Sequence, residues 1–364
     1  MSEKTSMKIT YVLPPNLNVP AGGYKVVYQY ANELVKKGHQ VNIVFLKNVI
    51  PNLKWYSNQA IRNKINSFFG RTVKNVKNIS WFPIDHRVKL YFDVEKEKDF
   101  PIADAIIATA APTTYISKLG PQVGRQFYFI QGYEEWWYKN GESSLLNTFR
   151  LPNMTNIVIS HELECKVKDA TDKKLKYLPN FYDPKEFFLE NDIELRNNVV
   201  ALLNHSQETK RTKLGIEILK EVKKQIPDLS VELFGVPEIP KNLPEYFHGT
   251  QMANPDQLRK NIFGRAKIYL LPSVLEGWGL TGMEAMASGS AVVASKIGGI
   301  VDYANDTNSV LVEPDHKDQF IKEIVELLNN DKKRQQIAKK GYQDVQKYRI
   351  EKSTLLLESI LQGK

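Results

Sequence analysis

The sequence predicts a two-domain α/β protein in which each domain is built on a doubly wound parallel sheet. Its 364 residues exceed what a single ordinary core fills, so two domains of typical size are expected. Short apolar runs alternate with helical segments through both halves, which is the pattern of parallel sheets covered by helices. In the first half the apolar runs lie at residues 8–13, 40–45, 103–108, 126–130, 156–159 and 175–178. In the second half they lie at residues 199–203, 231–235, 266–271, 291–294 and 308–312.

The helical segments and the polar crossings between them predict the domain boundaries. An amphipathic helix follows the first strand and ends at Gly38. Further helices are predicted at residues 214–225, 317–329, 332–347 and 351–361. A turn-rich crossing at 180–184 and a strongly polar stretch at 190–198 mark the boundary. We therefore expect an N-terminal domain at 1–185, a second domain at 196–345 and a C-terminal helix within 346–364.

Composition and charge narrow the class of protein. The hydrophobic content of 42% and the charged content of 25% are those of a globular chain, and no apolar run reaches the length of a membrane span. The single cysteine, Cys165, excludes an internal disulfide, and the first residues lack a signal-peptide core. We expect a cytoplasmic protein, with peripheral attachment to the inner face of the cell membrane left open.

The net charge is unevenly distributed. Residues 1–180 carry 25 Lys and Arg against 15 Asp and Glu, a net of +10, whereas residues 181–364 carry 25 against 26, a net of −1. Such an asymmetry indicates an anionic partner for the first half, either a membrane surface or a nucleic acid. No nucleic-acid motif supports the second alternative.

The most informative segment runs from 272 to 289, between two predicted strands. It places Glu276 and Glu284 on either side of a glycine-rich turn that opens a short helix. Free backbone N–H groups at a helix N-terminus suit phosphate oxygens, and Gly277 and Gly279 let the main chain approach a ligand closely. A diphosphate repels a nearby carboxylate, so carboxylates are expected at such a site only when they bind hydroxyl groups of the ligand. The pair therefore indicates a nucleotide-sugar, with Glu276 on the sugar and Glu284 on the ribose.

This segment resembles the signature of retaining glycosyltransferases of family 4, which have the GT-B fold. The resemblance rests on residues 276–284 followed by Ala-Met-Ala-Ser-Gly and then by Val-Val-Ala-Ser at 292–295. It implies two Rossmann-like domains facing a cleft, with the C-terminal helix crossing back to pack on the first domain. It also implies that Glu276 contacts the donor sugar, and that Glu284 binds the ribose. The amides implied to hold the distal phosphate and sugar belong to Gly277, Trp278, Gly279 and Leu280, and Thr281 is placed with the donor-binding residues.

Two other loops are candidates for the donor phosphates. Gly22 and Gly23 follow the first strand and precede a helix, so they form a second possible anion-binding loop. Lys210 and Arg211 lie in a polar loop after the strand at 199–203, where a cation can neutralise a leaving diphosphate. The family resemblance identifies Lys210 as the phosphate-binding lysine. The arginine that the family carries a few residues earlier is absent from 204–206, which leaves His205 or Arg211 as its substitute.

An acceptor site and a membrane contact are predicted in the first half. The strand at 126–130 leads into Gly132 and then Glu134, Glu135 and Trp136, and carboxylates with aromatic faces commonly bind sugars. This stretch resembles rhamnosyltransferase-like members of the family, in which Glu134 would face the acceptor, although the tryptophans could equally be core residues. Residues 54–80 carry six basic side chains and no acid, so a basic amphipathic helix there could lie on an anionic membrane or dock on the sheet.

Taken together, these features predict a retaining glycosyltransferase. It would move a hexose or deoxyhexose from a UDP-, dTDP- or GDP-linked sugar to a glycan or lipid-linked acceptor in surface polysaccharide or glycoconjugate synthesis. No paired histidine spacing or Asp-x-Asp sequence occurs, so neither a metal nor a cofactor is predicted. Two alternatives stay open: a non-catalytic GT-B subunit that binds glycan and supports a partner transferase, and a sugar-nucleotide epimerase.

Overall fold

The computed structural model describes residues 6–47, 77–138 and 142–363. The chain divides into two compact units. The first unit comprises Met1–Asn180 together with Glu351–Lys364, and the second comprises Phe181–Ile350. Most of the basic segment predicted at 54–80 lies outside the described residues, and its described end, 77–80, has no regular secondary structure.

The first unit is built on a seven-stranded parallel sheet with the strand order β3-β2-β1-β4-β5-β6-β7. Its central strands are apolar on both faces because helices cover both sides, which is why they read as continuous hydrophobic runs. The strands are β1 (Lys8–Leu13), β2 (Gln40–Leu46), β3 (Lys89–Val94), β4 (Ala105–Ala108), β5 (Arg125–Ile130), β6 (Met154–Val158) and β7 (Lys176–Tyr177).

Helices of the first unit are amphipathic and bury their apolar side on this sheet. The longest, α1 (Gly22–Lys36), buries eight residues and ends before Gly38, whose φ of +93° suits a helix stop. Two others are α2 (Glu142–Phe149) and α3 (His161–Lys168). Short 3₁₀ turns occupy Glu97–Asp99, Ala111–Lys118, Pro121–Val123 and Glu135–Trp137.

The C-terminal helix, Ile350–Leu361, contacts elements of the first unit through buried polar groups. The Ser353 hydroxyl lies 2.6 Å from the Tyr30 hydroxyl on α1. Glu358 bridges His39 Nε2 at 2.8 Å and Lys37 Nζ at 2.7 Å, just beyond the end of α1. Buried polar groups that find partners fix one arrangement of the packed elements, so these contacts define how the helix lies on α1.

The second unit is built on a six-stranded parallel sheet with the strand order β10-β9-β8-β11-β12-β13. Its strands are β8 (Val199–Asn204), β9 (Ser230–Gly235), β10 (Phe247–Gln251), β11 (Ile268–Leu271), β12 (Ala291–Ser295) and β13 (Val310–Val312). Its helices are α4 (Thr212–Gln225), α5 (Leu280–Ala287), α6 (Lys317–Asn329) and α7 (Asp331–Val345), with shorter helical turns at Glu208–Lys210, Pro255–Gln257, Leu258–Phe263, Ile300–Tyr303 and Gln346–Tyr348. The inner faces of sheet and helices form one apolar core.

The predicted α/β class with two doubly wound parallel sheets is confirmed, and the differences concern edges and a boundary. β3 and β10 were not predicted. Both are edge strands in which a single residue is buried, and β10 in addition has polar residues at 248, 250 and 251. The units divide after 180, at the start of the turn-rich crossing at 180–184 and five residues before the domain end expected at 185. Phe181, Tyr182 and Phe187 are buried residues of the second unit, so the turn-rich crossing already contributes to its core.

No helix among the described residues is long and apolar enough to cross a membrane.

Candidate functional site

The second sheet has a topological switch point between β8 and β11. From β8 the following strands extend to one side of the sheet, and from β11 they extend to the other. In doubly wound sheets the loops that leave two such strands diverge and form the crevice in which ligands bind. Lys210 follows β8 and Glu276 follows β11, so the fold brings two predicted site residues to the same edge.

Glu276 is held in place by two donors on one of its carboxylate oxygens. Lys210 Nζ lies 2.7 Å from Glu276 Oε1, and Ser273 Oγ donates to the same oxygen at 2.9 Å. Ser273 is fully buried, and the exposed side-chain fractions are 8% for Glu276 and 20% for Lys210. Glu276 Oε2 has no hydrogen-bond partner among the described residues. A buried carboxylate with one anchored and one available oxygen is suited to a ligand hydroxyl.

Backbone contacts fasten the two loops that carry this ion pair. The Val274 N–H donates to Thr209 O at 2.8 Å, which joins the loop after β11 to the loop after β8. A Cβ added at Gly299 would lie 2.3 Å from Gly277 O, so only glycine permits that approach. The pair is therefore positioned by the fold before any ligand arrives.

The glycine turn ends at the N-terminus of α5. Gly279 has a φ of +83° and precedes Leu280, the first helical residue, without a side-chain cap. First-turn amides of a helix lack intrahelical partners, so the turn presents N–H groups and the positive end of the helix dipole. Residues 277–281, which the sequence predicts to bind an anion, form this turn and the first two positions of α5.

Two buried phenols form hydrogen bonds with the glycine turn and with the first turn of α5. The Tyr303 hydroxyl donates to Gly279 O at 2.8 Å, and the Tyr269 hydroxyl lies 2.8 Å from Thr281 Oγ1. Burial raises the pKa of Tyr303 and Tyr269 above the usual range, and the nearby charges of Glu276 and Glu284 raise it further. Both carboxylates therefore lie near the same phenols. Lys210, Ser273, Glu276, Gly279 and Glu284 form what we call the switch-point cluster.

Trp278 and Glu284 are almost completely buried, so little of either side chain is accessible to a ligand. Trp278 is 2% exposed, and its ring packs against Tyr303 and Tyr348 at centroid distances of 5.6 and 5.5 Å. The side chain of Trp278 thus supports the turn, and its contribution to a ligand would be through the backbone. Glu284 is 6% exposed and lies on α5, one turn inside the helix.

Arg211 does not join Glu276. Its backbone is left-handed, with a φ of +52°, and its guanidinium donates to Pro314 O at 2.8 Å and to Asp315 Oδ1 at 2.6 Å. The adjacent cations Lys210 and Arg211 therefore point to different partners. Of the two substitutes considered for the missing arginine, Arg211 already has other anionic contacts.

His205 is held in this loop by two hydrogen bonds. The Gln207 N–H donates to His205 Nδ1 at 3.0 Å, and the His205 N–H donates to Thr212 Oγ1 at 3.0 Å. Burial lowers the pKa of His205 to about 4, and the charge of Lys210 lowers it in the same direction. His205 is therefore neutral over the physiological range.

The first sheet has its own switch point, between β1 and β4. Gly22 and Gly23 begin α1 directly after the loop from β1, and the residue before them, Ala21, supplies no side-chain cap. Gln131, which follows β5, donates from Nε2 to Gly23 O at 3.3 Å. The predicted glycine loop thus lies at the edge where the chain order reverses, as in the second unit.

Glu134 lies at this edge, where the Ala111 N–H donates to its Oε2 at 2.7 Å. Burial raises the pKa of Glu134 to about 7, against the opposing effect of the hydrogen bond from the Ala111 N–H. The residue is half-buried, so its carboxyl is partly accessible. Glu135 is exposed and Trp136 is half-buried, so neither belongs to the core of the unit.

A metal centre finds no support in the described part of the chain. Nowhere among those residues do three or more His, Cys, Asp or Glu side chains come together in a way that could hold an ion.

Comparison with solved structures identifies the class of fold. The sucrose-phosphate synthase of Thermosynechococcus elongatus aligns with a TM-score of 0.73 and 16% identity over 98% of both chains. Anabaena HepE, solved in complex with UDP-glucose, aligns with a TM-score of 0.72 and 13% identity over 98% of this chain and 100% of that one. The chain therefore has the GT-B fold, as the sequence predicted.

The family comparison is more specific for the second unit. Residues 184–344 match the family described as "Glycosyl transferases group 1", and this range lies within the second unit. A lipopolysaccharide 1,2-N-acetylglucosaminetransferase of Salmonella typhimurium is 42% identical over 91 residues, covering 24% of this chain and 23% of that protein. A D-inositol 3-phosphate glycosyltransferase of Corynebacterium aurimucosum is 27% identical over 183 residues, covering 46% and 44%. The chain thus spans less than half the length of these curated relatives.

Proposed function

We propose that this protein is a glycosyltransferase that transfers a hexose or deoxyhexose from a nucleotide-sugar to a glycan or lipid-linked acceptor. The second unit binds the donor. The observation that carries the proposal is the Lys210–Glu276 ion pair at the switch point, beside the amides at the start of α5. The cation and amides suit a diphosphate, and the carboxylates suit the hydroxyls of a sugar and a ribose.

The roles within the switch-point cluster follow from the charge of each group. Lys210 neutralises the leaving diphosphate, and the residues from Gly277 to Thr281 contribute backbone N–H groups to the same anion. Glu276 accepts hydrogen bonds from the donor sugar through Oε2, because its other oxygen is already occupied by Lys210 and Ser273. Glu284 accepts hydrogen bonds from the ribose. No metal is needed in this scheme, since the basic side chain and the helix dipole stabilise the phosphates.

The acceptor is assigned to the first unit, at the edge that holds Gly22, Gly23 and Glu134. Glu134 binds an acceptor hydroxyl, with Glu135 and Trp136 at the more accessible side of the same turn. The net charge of +10 over residues 1–180 supports an acceptor carried on an anionic membrane, to which the chain attaches peripherally. Sedimentation with anionic and with neutral vesicles tests this point, because only the anionic vesicles should retain the protein at low salt.

The proposed stereochemistry is retention at the anomeric carbon, as in family 4. The candidate donors include the kind of sugar that rhamnosyltransferase-like members of the family transfer. The acceptor hydroxyl attacks from the face that the phosphate leaves, and the leaving phosphate takes the acceptor proton. A proton NMR spectrum recorded on newly formed product shows the configuration at the anomeric carbon directly. An inverted product, or a trapped covalent glycosyl-enzyme, would contradict this step.

Calorimetric titration of UDP, dTDP and GDP, without added metal, tests the donor assignment. We expect one nucleotide to bind the wild-type chain, and we expect the Glu284→Ala variant to lose most of that affinity. Glu217→Ala is the matched control, because Glu217 is an exposed carboxylate on α4 whose partner is Lys317. If none of the three nucleotides binds, the donor assignment fails and a non-catalytic glycan-binding subunit becomes the better account.

A further inference from the structure

We propose that Tyr348 is a positioning residue for the glycine turn, residues 277–279, and that it connects this turn to the two chain segments that join the units. The inference rests on the proposed function, because this turn is assigned to the donor diphosphate. Tyr348 lies far from the turn in the sequence, in the helical turn Gln346–Tyr348, and its role follows from contacts within the second unit.

The two joining segments lie side by side just inside the second unit. The chain enters this unit at Phe181 and leaves it after Ile350. The Tyr182 N–H donates to Tyr348 O at 3.0 Å, and the Ile350 N–H donates to Tyr182 O at 3.1 Å, so the segments form a short parallel bridge. We call residues 182 and 348–350 the joining bridge. Because Tyr182 and Ile350 are buried, water competes little for these hydrogen bonds, and they fix the backbone of Tyr348.

The side chain of Tyr348 supports the glycine turn in two ways. Its ring packs edge-on against the indole of Trp278, with a centroid distance of 5.5 Å and an interplanar angle of 76°. Its hydroxyl donates to Asp302 O at 2.7 Å. The next residue, Tyr303, packs on the same indole at 5.6 Å and donates its hydroxyl to Gly279 O. Tyr348 therefore contacts Trp278 directly and anchors the segment from which Tyr303 binds the turn.

The turn depends on such support because Trp278 lies between two glycines. Gly277 and Gly279 restrict the backbone little by themselves, so the direction of the N–H groups depends on how the side chain between them is held. The Trp278 side chain is 2% exposed, and no described residue accepts a hydrogen bond from its indole N–H. The indole is therefore oriented by packing, to which the rings of Tyr303 and Tyr348 contribute.

This arrangement couples the glycine turn to the joining bridge. A ligand that engages the amides of the turn also restrains the Trp278 indole, and the indole restrains the Tyr348 ring. Because such coupling is reciprocal, loss of the Tyr348 ring should weaken phosphate binding at the turn, and a bound phosphate should reduce the local opening of the bridge. A part of the ligand that does not touch the turn, such as the nucleoside, should have neither effect.

Variants of Tyr348 separate its ring from its hydroxyl. Tyr348→Phe keeps the ring against Trp278 and loses the hydrogen bond to Asp302 O, whereas Tyr348→Leu loses both. We expect Tyr348→Leu to weaken binding of the preferred nucleoside diphosphate about fivefold in calorimetric titrations, the effect of losing one aromatic pair. Tyr348→Phe should stay within about twofold of the wild type, and both variants should bind the corresponding nucleoside as the wild type does.

Tyr246→Leu is the matched control. Tyr246 is also a half-buried ring of the second unit, and it packs on Phe247 at a centroid distance of 4.8 Å. It precedes β10, at the edge of the sheet opposite the glycine turn. Its loss should cost stability and leave the affinity for the nucleoside diphosphate unchanged.

Amide hydrogen exchange of the full chain tests the coupling itself. In the wild type, a saturating nucleoside diphosphate should slow the exchange of the Tyr182 and Ile350 N–H groups, and the nucleoside should not. At equal saturation, Tyr348→Leu should lose this protection and Tyr246→Leu should keep it. The wild-type result decides the question even if Tyr348→Leu does not fold.

Unchanged exchange of both N–H groups in the diphosphate-bound wild type would overturn the inference. Equal diphosphate affinity of Tyr348→Leu and wild type would overturn it as well, and both results would leave the proposed function intact. Failure of the wild type to bind any nucleotide would instead reject the proposed function, and this inference with it.

Discussion

The switch points of the two sheets are built from the same kinds of element, but the carboxylate at each has a different electrostatic environment. In the second unit a buried carboxylate, Glu276, is paired with Lys210 at 2.7 Å, and the site is fully charged. In the first unit Glu134 accepts a backbone N–H and no cation lowers its pKa, which burial raises to about 7. A paired charge suits an anionic ligand, whereas a carboxyl poised near neutrality suits a neutral hydroxyl. One fold, used twice, thus provides two edges with different electrostatics, which we propose for the donor and for the acceptor.

Removal of the cation at the second edge should have the largest effect. Lys210→Ala leaves Glu276 buried with Ser273 as its remaining donor and removes the charge that neutralises the diphosphate. We expect kcat to fall about a hundredfold or more, the range seen when a charge-stabilising donor is lost. Arg211→Ala is the control, because its partner Asp315 is 81% exposed and such ion pairs contribute little. Equal losses in the two variants would remove the distinction between these neighbouring cations.

Stability measurements can test whether the surroundings of Gly279 in the second unit restrict a side chain more than the surroundings of Gly38 in the first unit do. Gly279 and Gly38 both have left-handed φ values, of +83° and +93°. A Cβ at Gly279 would lie 2.9 Å from Ile300 Cγ1, whereas a Cβ at Gly38 meets nothing within 4 Å. We expect Gly38→Ala to lower the free energy of unfolding by about 1 kcal/mol and Gly279→Ala by more, about 2–3 kcal/mol. Urea unfolding of both variants reads this difference, and an effect at Gly38 as large as at Gly279 would contradict it.

The smallest expected effect concerns the pH dependence of the first unit. The folded pKa of Glu134 lies above its ordinary value of 4.5, so the folded chain holds this proton over a range in which the unfolded chain releases it. Stability from this group is therefore fully present below about pH 4.5 and declines as the pH rises to about 7. Glu134→Gln should remove that part of the decline, which thermal unfolding at pH 5 and pH 8 would record. An identical pH profile for wild type and variant would show that Glu134 titrates normally.

The sequence was sufficient for the fold class because buried parallel strands leave an unbroken apolar run. It was insufficient at the sheet edges, where most residues of β3 and β10 are half-buried or exposed. Lys210 and Glu276 could be proposed from motif and chain order, but their direct contact could not, since it depends on which strands are neighbours.

Residues whose role depends on a tertiary contact escaped the sequence analysis. Ser273 is an ordinary serine until the fold places its hydroxyl 2.9 Å from Glu276, and Tyr303 is an ordinary aromatic residue until it reaches Gly279 O. The sequence alone gives no means of choosing between His205 and Arg211 as the substitute for the missing arginine. The hydrogen bond from the Gln207 N–H, which fixes the ring, is visible only in three dimensions.

The most direct test of the account compares the affinity of the preferred nucleoside diphosphate with that of its sugar-linked form, in the wild type and in Glu276→Gln. Because Glu276 Oε2 is assigned to the donor sugar, the wild type should bind the sugar-linked form more tightly, and the variant should lose that increment. The variant should bind the diphosphate itself at least as well, since the negative charge beside it is gone. If the variant loses affinity for the two ligands equally, or for neither, Glu276 does not contact the sugar and the assignment of the second switch point as the donor site is wrong.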